Sequence, residues 1–245
     1  TLTIQKKAFA RKATGTISEA IESELDEASV LLASKALVVT RFDLQLHSSG
    51  GYWLRLPQED FCQATGTPSS QKYEADGGPG IVEIARVLKG SVSRDEDLST
   101  LLRAQLLFWM LAATDGHAKN FSIRLLPQGR YRLTPLYDVL SGWPVTGSRG
   151  NQLHPKKIKL AMAMRGANKH YRILEIQRRH FNRTALQCGL GANMETIISD
   201  VIAKTPSVIE GVAARLPDGF PPQLFESVTR GLRKAADEIA AMPIE

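Results

Sequence analysis

The chain has 245 residues, 43% hydrophobic and 23% charged, with a formal net charge of +6 and a pI near 9.4. That is enough apolar material for one large domain, or a small lobe on a larger one, and it excludes general disorder. No apolar run is long enough to span a bilayer and no signal-peptide pattern opens the sequence, so a cytoplasmic protein without membrane partners is expected.

The first sixteen residues carry Lys6, Lys7, Arg11 and Lys12 but no glycine-rich run, and Gly15 stands alone. Alternation in Leu2-Thr3-Ile4-Gln5 imitates a strand, although basic N-terminal segments are more often solvated. Ile17 to Ser34 reads as an amphipathic helix, with Ser18 a candidate N-cap and Glu19, Glu22 and Glu24 near its positive end. Val38 to Asp43 reads as a buried strand entering a turn. Gly77-Gly78-Pro79-Gly80 lacks the Gly-Lys-Ser/Thr ending of a P-loop and predicts a rigid bend before a helix over Ile81 to Leu88.

A long apolar helix is predicted over Leu98 to Ala113, followed at once by Thr114-Asp115-Gly116-His117-Ala118-Lys119-Asn120. Gly116 fits a loop and not a helix interior. Phe121, Ile123 and Leu125 alternate with polar residues, Pro127-Gln128-Gly129 supplies a turn, and Tyr131 and Leu133 alternate again, which predicts a two-stranded hairpin. Such a hairpin would return Leu136-Tyr137-Asp138 beside Asn120.

Phosphoryl transfer needs little covalent chemistry from a protein. It needs one carboxylate to orient the attacking hydroxyl, and an amide and a second carboxylate to hold Mg²⁺ on the phosphates. Asp115, Asn120 and Asp138 offer those groups in that order, and four residues separate the first two, as in the catalytic loop of protein kinases. Singly, each is an ordinary turn or strand-end residue. As an ordered set across a hairpin they point to a kinase.

Downstream, Met194 to Ile202 and Val208 to Leu216 recur at helical spacing with Thr205-Pro206 breaking between them, and Leu224 begins a further helix. Basic clusters at Lys156, Lys157 and Lys159, at Arg178, Arg179 and Arg183 around His180, and at Arg230, Arg233 and Lys234 are usually solvated helix faces, but could meet nucleic-acid phosphates. Without a helix-turn-helix signature or a zinc finger, stand-alone sequence-specific DNA binding is not expected. Cys62 and Cys188 read as buried thiols, and the five histidines form no metal-binding pattern.

The stretches Arg55 to Asp60, Lys72 to Ile81, Thr114 to Ser122 and Leu133 to Ser141 closely resemble the HipA family of bacterial toxin kinases, and the likeness runs from about Val39 to near the C-terminus. The resemblance implies an α+β, protein-kinase-like fold, with a partial N-lobe over residues 1–43 and a helical C-terminal lobe over 44–245. It implies a serine/threonine protein kinase of a toxin–antitoxin module that uses ATP and Mg²⁺. Its protein substrate would be a translation component such as an aminoacyl-tRNA synthetase, its antitoxin a HipB-like helix-turn-helix protein, and operator DNA would be reached through that antitoxin. Carried over by residue, Asp115 becomes the catalytic base and Asn120 and Asp138 the Mg²⁺ ligands. His117 then neighbours the nucleotide phosphates, and Lys119 can touch the transferred phosphate. Val38 to Asp43 resembles the hinge strand, with backbone groups of Thr40 and Phe42 meeting adenine and Asp43 the ribose. The chain departs from the family at its front, where the phosphate-covering glycine loop and strand lysine are not found; Lys6 or Lys7 could stand for that lysine and Glu24 or Glu27 for its partner. A small-molecule phosphotransferase, or an inactive antitoxin-binding subunit, are the alternative readings.

Overall fold

The structure is a computed structural model that describes residues 41–191 and 193–244. The strand expected around Ile4, the helix expected over Ile17 to Ser34, and Thr40 lie outside the described residues. The chain falls into two compact units, Thr1–Pro57 and Gln58–Glu245. In the first, β1 (Leu44–Leu46) pairs antiparallel with β2 (Trp53–Arg55), Leu44 opposite Arg55. The Leu56 N–H closes this hairpin on the Asp43 carbonyl at 2.8 Å.

The second unit is organised around one helix. Leu98, Leu101, Leu102, Leu106 and Met110 are fully buried on α3 (Arg94–Met110), after α1 (Phe61–Ala64) and α2 (Ile81–Leu88). The helix starts four residues earlier than its apolar pattern suggests because Asp95, Glu96 and Asp97 occupy the first turn, where carboxylates meet the positive end of the helix dipole. It ends at Met110, short of Ala113, with Ala112 turned into the left-handed region at φ 51°.

The hairpin expected after the Asp115 loop is present as β4 (Ser122–Leu125) and β5 (Tyr131–Leu133), with Gln128 and Gly129 both at positive φ in its turn. A third strand, β3 (Gln58–Asp60), pairs with β4 on its other side and was not foreseen, being only three residues long. Asp97 ties this sheet to α3: its buried carboxylate accepts from the Leu133 N–H at 2.8 Å and from Ser91 Oγ at 2.5 Å.

A second hairpin, β6 (Lys159–Arg165) with β7 (Lys169–Arg172), was also not foreseen. Leu160 to Met164 are buried on both faces, so no polar alternation announces the strand. Gln105 and Trp109 of α3 donate at 3.0 Å to the carbonyls of Met162 and Ile173 and hold that layer in place.

Three helices complete the lobe: α4 (Arg178–Cys188), α5 (Glu195–Ala213) and α6 (Pro222–Ala241). The break expected at Thr205-Pro206 does not occur, and α5 runs through it. Pro206 sits on the exposed face, where water can satisfy the carbonyl it leaves free, while Val201, Thr205 and Ile209 keep the buried stripe continuous. Arg178, expected on a solvated face, is instead bound to Glu195 at 2.5 Å. Cys62 and Cys188 are free and buried, as expected. Among the described residues no helix is long and apolar enough to cross a membrane.

Candidate active site

Everything in the site comes from the second unit. Where α3 ends, the chain must turn sharply against the helix it has just left, and a Cβ on Gly116 would lie 2.3 Å from the Phe108 ring. Glycine is therefore required here by close approach and not by a left-handed backbone. The turn leaves Asp115 half-exposed at the surface and sends His117 to Asn120 inward.

His117 and Asn120 lock the loop from within. The Asn120 carbonyl Oδ1 accepts the His117 N–H at 3.0 Å, and the Asn120 N–H returns to the His117 carbonyl at 2.9 Å. The Asn120 side-chain amide then donates to Asp138 Oδ2 at 2.9 Å. Tyr137 secures the approach of Asp138: its hydroxyl donates to the Lys119 carbonyl at 2.8 Å and lies 2.6 Å from Ser122 Oγ, at the foot of the hairpin. Asp138 has φ 57°, a left-handed conformation that a non-glycine residue adopts at a cost, and its carboxylate is exposed.

The imidazole of His117 feels both acids. Its Nε2 lies 3.6 Å from Asp115 Oδ1, and the charge of Asp138 also acts on it. Burial wins over both carboxylates and lowers the affinity of this ring for a proton, so it is neutral at neutral pH. Its Nδ1 is buried with no hydrogen-bond partner among the described residues.

Lys119, expected to reach a phosphate, pairs with Asp60 at 2.6 Å. Asp60 is the N-cap of α1 and accepts from the Gln63 N–H at 3.0 Å with its other oxygen. Thr40 lies outside the described residues, and Phe42 and Asp43 belong to the first unit. There the Arg41 guanidinium hydrogen-bonds Asp43 and holds its carboxyl below the usual carboxylate range. Arg55 approaches the same carboxylate at 3.7 Å.

Two contributors escaped the sequence reading. The Tyr73 hydroxyl donates to Asp115 Oδ1 at 2.5 Å, and the ring stands edge-on to His117 with centroids 5.2 Å apart. Glu74, buried beside it, accepts from the Ala163 N–H at 2.7 Å and from Arg165 and Lys169, each at 2.8 Å. Both residues fall within the stretch that carries the family likeness, but 42 residues separate Tyr73 from Asp115 and no local pattern joins them.

A cation held at this site would take oxygens from Asp138 and from Asn120, whose carbonyl keeps one lone pair beyond its bond to His117. An exposed carboxylate and an amide that orients it fit a magnesium-bound polyphosphate. Among the described residues, no three His, Cys, Asp or Glu side chains cluster to form a metal cage on their own.

Helical lobe, three-stranded sheet and acid–amide–acid loop together define a protein of the kinase-like fold class. The family model of the HipA-like C-terminal domain matches residues 12–209, and the chain belongs to that family. It is 40% identical over 106 residues, 43% of its length, to a conjectural kinase of Sinorhizobium fredii, Y4mE. It is 31% identical over 121 residues, 44% of its length, to the serine/threonine-protein kinase toxin HipA of Shewanella oneidensis. These alignments span 25% and 27% of the respective relatives. A chain in the Shewanella oneidensis complex of HipA, HipB and operator DNA shares the fold, with TM-score 0.66 at 20% identity over 82% of this chain and 47% of that one.

Proposed function

We propose that the protein is an ATP- and Mg²⁺-dependent serine/threonine protein kinase and the toxin of a toxin–antitoxin module. One observation carries the reading: a half-exposed carboxylate, Asp115, lies on the same short loop as an amide, Asn120, that hydrogen-bonds a second carboxylate, Asp138, set on a left-handed backbone.

Asp115 accepts the proton of a serine or threonine hydroxyl and orients its oxygen toward the phosphorus. Asp138 and Asn120 hold the metal, and Asn120 keeps Asp138 turned toward it. Magnesium supplies neutralisation of the phosphate charge that would otherwise repel the entering hydroxyl. His117, neutral, neighbours the phosphates without adding a charge. Lys119 has given its charge to Asp60, so on this reading it serves the loop's position first and the phosphate second.

The relatives support the reading as a module. One is named a serine/threonine-protein kinase toxin, and the solved complex holds HipA, HipB and operator DNA. On this reading the partner is a HipB-like antitoxin that brings the kinase to its operator; that the antitoxin is a helix-turn-helix protein and the substrate a protein of translation such as an aminoacyl-tRNA synthetase rests on the family resemblance of the sequence alone.

Calorimetry of Mg·ATP with the full-length protein tests the core of this. Binding should require Mg²⁺ and be lost in Asp138→Ala. Asp115→Ala should keep binding but lose roughly 10²–10⁴-fold in transfer to protein. Metal-independent binding, or transfer undiminished in Asp115→Ala, would refute it.

A further inference from the structure

Asp115 is not alone. One of its oxygens, Oδ1, accepts the Tyr73 hydroxyl at 2.5 Å, and the other has no hydrogen-bond partner among the described residues. We propose that Tyr73 is a positioning residue for the carboxylate of Asp115, tying Oδ1 so that Oδ2 alone faces the acceptor hydroxyl; this rests on the kinase reading above.

The placement of Tyr73 does not depend on its hydroxyl. Its carbonyl accepts the N–H groups of Asp76 at 3.1 Å and Gly78 at 2.9 Å, which curls the segment into a fixed turn. A Cβ on Gly78 would fall 2.1 Å from the Gln71 carbonyl, and one on Gly80 would fall 2.3 Å from the Glu74 carboxyl carbon, so the turn is packed against itself without slack. Glu74, the next residue, is clamped to β6 and β7 by its three bonds. Lys72 lies 5.1 Å from the centre of the Tyr73 ring on one side, and His117 meets it edge-on from another. The segment also reaches the catalytic loop through the Ala118 N–H and the Lys72 carbonyl at 3.4 Å.

With the ring held by those contacts, the hydroxyl is free to act on the carboxylate and is not needed to dock the loop. It can only donate there. Its bond to Asp115, followed by burial, pushes the phenol up to about 12, so it keeps its proton throughout the neutral range. A carboxylate on a flexible aspartate would otherwise rotate between two equivalent oxygens; a fixed donor on one of them leaves a single acceptor direction.

The test is Tyr73→Phe in the full-length protein, with Mg·ATP and a degenerate serine/threonine peptide library as acceptor. The expected result is a fall in kcat of about tenfold or more, with KM for ATP and melting temperature unchanged. Tyr73→Leu, which removes the ring, should lower kcat and melting temperature together. If Tyr73→Phe keeps kcat within twofold of an active wild type, or loses activity only in step with melting temperature or KM for ATP, the inference is overturned and the kinase reading stands. If the wild type transfers no phosphate, the kinase reading fails and takes the inference with it.

Discussion

Replacing Glu74 by alanine should loosen the wall of the site from a distance, and its cost can be worked from the contacts. Its side chain is 2% exposed and carries three hydrogen bonds, two of them to cations. Without it the Ala163 N–H loses its acceptor in the interior of a buried strand, at about 1–3 kcal/mol. Among the described residues Arg165, 11% exposed, then has only the carboxylate of Glu83 at 3.6 Å, which is too long for a hydrogen bond. Lys169, half exposed, returns to water at little cost, although the hydrogen bond to Glu74 now raises its pKa. Together these fall in the range of about 3–5 kcal/mol found when one member of a buried ion pair is removed. Urea denaturation of wild type and Glu74→Ala measures the difference through a shift in midpoint at unchanged slope. Glu74→Gln, which keeps the shape and one acceptor, should cost about half as much. A loss below about 1 kcal/mol for Glu74→Ala would refute the reasoning, because it would mean that the clamp between Tyr73 and β6 carries no net energy.

Three further outcomes are expected. Gly116→Ala should cost about 1–3 kcal/mol, because the new methyl meets the Phe108 ring, itself packed against Phe121; an unchanged urea midpoint would show that the ring yields freely. Asp97→Ala should leave the Leu133 N–H without its acceptor and cost a similar amount, with faster hydrogen exchange at that amide, since β5 leads directly into the Asp138 segment. The pKa of His180 is lowered to about 4 by burial and then by the charges of His170, whose ring lies 3.9 Å away, and of Arg179, while an unfolded histidine titrates near 6.5. The unfolded chain therefore binds the extra proton between about 6.5 and 4. Stability falls as pH drops through that window, by about 1–2 kcal/mol after allowing for solvent screening at the open cleft that the ring borders. His180→Phe should flatten that part of the pH–stability curve, and an unaltered slope would count against the assignment.

What the sequence made legible follows contact range. The Asp115 loop, the hairpin and the return of Asp138 to Asn120 are written within 24 residues, and each depends on neighbours close in the chain: alternation, a turn, a glycine after a helix. The helix Ile81–Leu88 was legible for the same reason, since its start follows directly on Gly80. Local rules misled at Pro206, where a break was expected and a buried stripe on both sides overrode it, and at β6, where burial on both faces erased the alternation.

The deeper omission concerns Tyr73 and Glu74, which look like any tyrosine and glutamate in a turn. Glu74 acquires its role only when β6 arrives with Ala163 and Arg165, 89 and 91 residues later. Tyr73 acquires its role only when α3 delivers Asp115 beside it. If Asp115 is the base of the proposed transfer, its direction must be fixed by groups that do not move with it, and a loop cannot supply those from its own neighbours. They have to come from elsewhere in the fold, which places the supporting shell of the site where sequence spacing is silent.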